Sequence, residues 1–234
     1  MGVLATVSRV IELGGQRARA AQVLAMRSAF EARTGAFSPE DPWFEERSRA
    51  FWVDAATRGR FGREVAEDLR EDERVWLAPI ERAHRGLFRA EVRGDRRILV
   101  DVWGGAELAP TQVDDESAAE LEASDGQLFD ARVVGTSEPF AVTLLPGALF
   151  HPRHATTAIE PVLKAARAAA LATHEALDAL LRMERTLRAL SRVKAAYAYR
   201  AEALAPPEAK AVSAGKGAHG AHAPWERAVS KRSS

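Results

Sequence analysis

GLFRAEVRGDRRILVDVWGGAELAPTQ (residues 86–112) and GQLFDARVVGTSEPFAVTLLPGALFHP (residues 126–152) decide the fold, because only here does the chain read as closely spaced short strands. Phe88, Ala90 and Val92 alternate with Arg89, Glu91 and Arg93. After Gly94-Asp95, Ile98, Val100 and Val102 alternate with Leu99, Asp101 and Trp103. Period-two alternation on both sides of a turn dipeptide predicts a hairpin. Gly104-Gly105 then leads to a short strand at 106–108 that Pro110 ends, and the acidic run DDESAAELEA (114–123) predicts a helical crossing. Asp125-Gly126 opens a second pair of strands, 128–135 and 140–145, and Pro146-Gly147 turns into a last one at 148–150. The predicted inward set is Phe88, Ile98, Val100, Val102, Leu128, Val133, Val142 and Leu144. Five or six short strands with one helical interruption suit a small SH3-like or OB-like β-barrel, since closing the sheet removes its unpaired edges.

The flanking segments carry helical periodicity, so the predicted class is α+β: an N-terminal helical region (1–83), the barrel (84–152), a C-terminal helical hairpin (153–204) and a disordered basic tail (205–234). Residues 3–13 end at Gly14-Gly15, and 17–33 end near Gly35. Asp41 followed by Pro42 predicts a helix start, after which Phe44, Phe51, Trp52 and Ala55 fall on one face and mark Trp52 as a buried core anchor. A helix from His174 to Tyr199 is predicted by Leu177, Leu180, Met183, Leu187, Leu190, Val193 and Tyr197. The last thirty residues, rich in Ala, Gly, Pro and Ser, have little to bury.

Three phrases, LFRAEV (87–92), LVDVWGGAEL (99–108) and GQLFDARVV (126–134), lie in an order that resembles a group of uncharacterised bacterial proteins carrying a SEC-C zinc motif. The resemblance covers about residues 40–150 and implies an SH3-like barrel. The SEC-C cysteines have no counterpart here, so the zinc site of that group does not transfer to this chain.

Composition narrows the chemistry. With no cysteine, disulfides, thiolate nucleophiles and Cys-ligated metals are excluded, and a reducing cytoplasm fits. No apolar run approaches the roughly 18 to 20 residues that span a bilayer, so a soluble protein without a membrane partner is expected. Net charge is zero but unevenly spread: residues 84–152 carry six basic and twelve acidic side chains, and residues 153–204 carry nine and five. That split fits complementary surfaces within one chain or between copies of it. No nucleophile elbow, metalloprotease helix, phosphate loop or dinucleotide fingerprint occurs. His151 and His154, like His219 and His222, sit three apart but lack an adjacent third ligand, so neither a metal nor a cofactor is expected.

These features favour a non-catalytic interaction or adaptor module with an unidentified protein partner. The alternative is a nucleic-acid-associated protein, in which Arg182, Arg185, Arg188 and Arg192 recur every three or four residues and line one helix face. An enzyme whose site is invisible in sequence is a third reading. Trp225, a large aromatic in a segment with no core of its own, marks a second partner-binding element. Deleting residues 205–234 is expected to leave the thermal melt unchanged and weaken a specific protein association. Trp225→Ala should reproduce most of that loss and Lys231→Ala little of it, and affinity capture with the three variants reads the difference.

Overall fold

A computed structural model of the chain describes residues 2–124, 126–138, 140–190 and 192–205. Helices α1 (Val3–Gly14), α2 (Ala20–Thr34), α3 (Phe44–Ala56), α4 (Phe61–Glu64), α5 (Glu71–Arg74) and α6 (Leu77–Glu81) precede strands β1 (His84–Arg93), β2 (Arg96–Asp101) and β3 (Glu107–Leu108). Helix α7 (Asp115–Ser124) crosses to β4 (Leu128–Ser137), β5 (Phe140–Leu144) and β6 (Leu149–Phe150), and α8 (Thr156–Ala168), α9 (Thr173–Ala189) and α10 (Ala195–Ala198) close the described chain. The fold is α+β, with helix outweighing strand 55% to 18%. None of the described helices is long and apolar enough to cross a membrane.

The strands form one curled antiparallel half-barrel in the order β3-β2-β1-β4-β5, and β6 pairs with β4 beyond the end of β5. Strand β4 is central and buried from Leu128 to Val134, on both faces. Phe129, Ala131 and Val133 point into the concave side with Phe88, Leu99, Leu144 and Ala148. On the other face Leu128 joins Leu87 under α8 and α9, and Val134 joins the N-terminal helices. Between those two apolar ends, on the same face, lie Asp130 and Arg132, both buried.

The pairing corrects the predicted inward set. The hairpin turns on two residues, so even-numbered positions of β1 face odd-numbered positions of β2: Phe88 pairs with Asp101 and Ala90 with Leu99. Leu99 is therefore fully buried, whereas Ile98 and Val100 sit half-buried on the outer face with Glu91 and Arg89. Val102 packs with Leu87 under the C-terminal helices, and Leu128 faces them too, opposite in sense to Val133. Val92 is 72% exposed, because the hairpin tip overruns the core.

Three further expectations change. The helix predicted to run to Tyr199 stops at Ala189; Arg192 takes a left-handed φ of 61°, and the break folds Ala195, Ala198 and Tyr199 back onto α8 and α9, where a straight helix would carry them away. Asp41 caps a turn, accepting the Ser38 N–H at 2.8 Å, and α3 begins only at Phe44. Trp52 is half-buried, its ring lying over Gly14 between α1 and α3.

That last contact explains why α1 ends in glycine. A Cβ at Gly14 would sit 2.5 Å from the Trp52 ring and 3.0 Å from Phe61, whereas one at Gly15 would meet only the Glu12 carbonyl, at 3.3 Å. Gly14→Ala should therefore destabilise by about 1–3 kcal/mol through overpacking, despite the better helix propensity of alanine. Gly15→Ala, in right-handed helical backbone, should be near neutral. Thermal denaturation of the two variants side by side checks this, with only the first expected to melt several degrees lower.

Candidate functional site

The face of β4 that carries Asp130 and Arg132 is covered by the helices, so two charges are forced into the interior and must be answered there. In the β1–β4 register Arg85 lies directly opposite Arg132, which brings two guanidiniums together on neighbouring strands. Arg85 donates from Nε and Nη2 to the Asp130 carboxylate and from Nη1 to Asp178 Oδ1 at 2.7 Å. Asp178 sits in the second turn of α9, 4% exposed, amid the apolar face formed by Leu177, Leu180 and Leu181. Its other oxygen accepts Arg33 from the end of α2 and Arg58 from the loop after α3, both at 3.1 Å. Arg33 also donates to Asp54 of α3 at 2.6 Å, and Asp54 accepts Arg132 as well. One connected network thus ties α2, α3, β1, β4 and α9.

The charges do not balance evenly across it. Burial works against the Arg85 cation, but Asp130 and Asp178 outweigh it and hold its pKa well above the usual arginine range. The same pull holds Asp178 below the usual carboxylate range against the cost of its burial. Arg132 moves the other way: burial first, then the neighbouring Arg85 charge, holds it below the ordinary arginine value, and Asp54, Asp130 and Asp178 do not make up the difference.

Arg85 and Arg132 form the floor of a surface cleft of about 320 Å³. Arg58 and Arg60 line it from the α3–α4 loop, and His174 from the first turn of α9. The one carboxylate in the lining is Glu81, which Arg63 already holds through both of its oxygens. Arg60 is exposed, in left-handed backbone at φ 54°, and its side chain carries no hydrogen bond or ion pair to the described residues. Such a convergence of donors suits the capture of an anionic group.

The residues singled out in the sequence lie elsewhere. Arg182 donates to the Arg33 carbonyl at 2.7 Å and to the Leu204 carbonyl at 3.1 Å, Arg185 to the Ala36 carbonyl at 2.9 Å, and Arg188 pairs with Glu184 and Glu46. These three lace α9 to the ends of α2 and α3, while Arg192 is exposed beyond the helix. Trp225 lies outside the described residues. His151 is buried, with Nδ1 2.7 Å from the Tyr199 hydroxyl, and burial pushes its pKa down to about 4, so it is neutral at pH 7. His154 is exposed within the short helical turn that follows, Arg153–Ala155. Among the described residues no three His, Asp or Glu side chains are placed to hold a metal ion.

A scan of family models finds no match to the chain, and neither curated proteins nor solved structures yield one. The site therefore rests on its own geometry.

Asp178 is the point at which that geometry is most vulnerable. Asp178→Asn keeps the shape but leaves three guanidiniums with one charge fewer, and breaking a buried ion pair in this way costs about 3–5 kcal/mol. The urea midpoint should fall accordingly, while the far-UV circular dichroism of the folded baseline stays that of the parent.

Proposed function

We propose that the chain is a non-catalytic interaction module of the cytoplasm, whose folded body engages a protein partner through an acidic group received in the arginine cleft. The observation that carries this reading is the lining: four guanidiniums and an imidazole against a single, already paired carboxylate. Preset donors of this kind support binding, and no nucleophile paired with a base faces the same space among the described residues. The likeness of the half-barrel region to the SH3-like barrels beside SEC-C motifs belongs to the same proposal, as does a tethering role for residues 205–234.

The nucleic-acid reading has weaker support. A phosphate backbone needs a row of free cations, and all three arginines on α9, Arg182, Arg185 and Arg188, spend donors on this chain's own carbonyls and carboxylates. A cleft for one anionic group fits a single side chain better than a strand of phosphates.

The test is affinity capture at low salt with the full chain, with Arg60→Gln, a rim change outside the buried network, and with the double variant Arg58→Gln/Arg60→Gln, which also removes one donor to Asp178. Recovery of a specific partner should drop about tenfold in the double variant, the scale of a lost charge pair at an interface. Undiminished recovery would place the interaction on another surface.

A further inference from the structure

We infer that the group this cleft receives is a phosphoryl group, borne on a side chain of the partner, and not a carboxylate; the inference rests on the cleft being the docking site. Charge comes first. The network and rim together, with Arg63 that holds Glu81, carry six guanidiniums, Arg33, Arg58, Arg60, Arg63, Arg85 and Arg132, against four carboxylates, Asp54, Glu81, Asp130 and Asp178, an excess of two. A carboxylate would cancel half of that excess, whereas a phosphoryl group, carrying about −1.5 to −2 at pH 7, cancels nearly all of it.

Strand pairing adds a second reason. Like charges directly opposite on adjacent strands are destabilising, and Arg85 faces Arg132 in the β1–β4 register. Asp130 and Asp178, behind the floor, take three hydrogen-bonding nitrogens of Arg85, whereas Arg132 is left with one hydrogen bond, to Asp54. Arg132 is only 7% exposed, and burial beside Arg85 keeps its charge under strain, so an anion in front of it would complete what the aspartates leave short.

The directions of approach point the same way. Donors reach the space from the sheet below (Arg85, Arg132), from the α3–α4 loop (Arg58, Arg60) and from the first turn of the 17-residue helix α9 (His174), whose positive dipole end adds to them. Three directions suit the three free oxygens of a tetrahedral phosphoryl group, where a planar carboxylate presents two. At about 320 Å³ the open cleft has room for that group and a short stem, so the body of the ligand must lie outside it, as on a larger molecule.

Titration calorimetry on the full chain, at low ionic strength and pH 7.5, tests this with four additions: a short uncharged peptide bearing one phosphoserine, the same peptide with glutamate there, free O-phosphoserine and inorganic phosphate. The phosphopeptide is expected to bind at least about tenfold more tightly than the glutamate peptide, with phosphate and O-phosphoserine as weaker competitors for it. Arg60→Gln should weaken the phosphopeptide several-fold without lowering the melting temperature, Arg58→Gln should weaken it too but at a lowered melting temperature because Arg58 also pairs with Asp178, and Arg132→Gln should abolish binding. Should Arg132→Gln fail to fold, Arg60→Gln carries the test. Equal affinity for the glutamate peptide would overturn the phosphoryl inference and leave the docking reading standing. Binding of free O-phosphoserine as tight as that of the phosphopeptide would overturn the partner-borne source in favour of a small phosphomonoester. No binding of any phosphate compound, while partner capture still depends on Arg58 and Arg60, would overturn it outright.

Discussion

Asp178 accepts hydrogen bonds from three guanidiniums that reach it from the end of α2, the loop after α3 and strand β1. A single carboxylate thereby fixes where the helical region, the sheet and α9 meet, because none of the three arginines can move without stranding a buried charge. Desolvating so many ions is costly, and their mutual attraction offsets it only in good geometry. The arrangement is therefore weak as a source of net stability and strong as a constraint on shape.

Around that point the apolar core divides into three parts that the same strand serves. Strand β4 sends Phe129, Ala131 and Val133 into the concave side of the sheet, Leu128 under α8 and α9, and Val134 toward α1 and α3. Gly147, just before β6, lets this sheet and α3 approach closely: a Cβ there would lie 2.8 Å from the Arg49 carbonyl carbon and 2.9 Å from the Ala50 nitrogen, and its φ of +81° already favours glycine. A second buried pair, Arg47 with Glu184 at 2.5 Å, repeats the theme at the other end of α9.

The elements were largely legible in the sequence, because alternation and turn dipeptides locate β1, β2, β4 and β5 and the acidic crossing α7. The facing of β2 was misread for a reason the sequence does contain: a two-residue turn pairs even with odd positions, so Phe88 and Val100 cannot share a face. The cleft was missed because its residues come from four separate stretches, and each looks ordinary by itself. Two signals were available. Asp130 and Arg132 occupy alternate places in LFDARVV among residues all apolar, and Asp178 interrupts the apolar face of α9 between Leu177 and Leu181. The arginine repeat on α9 drew attention by its spacing, but periodicity says only that side chains share a face, and that face turned out to meet α2 and α3.

At the ends of the sheet, the chain limits its own stickiness. Strand β3 is two residues long, and the segment after it swings across to β5, where Gln112 pairs with Thr143 and the Thr111 and Gln112 N–H groups both bond the Val142 carbonyl. Both margins are thus partly covered, by β3 over Leu99 and Val100 and by the 111–112 segment along β5, which shortens the open edge on which a foreign strand could pair. Under the proposed docking function, recognition then falls to side-chain chemistry, which a single substitution or a single covalent modification on the other molecule can grant or withdraw.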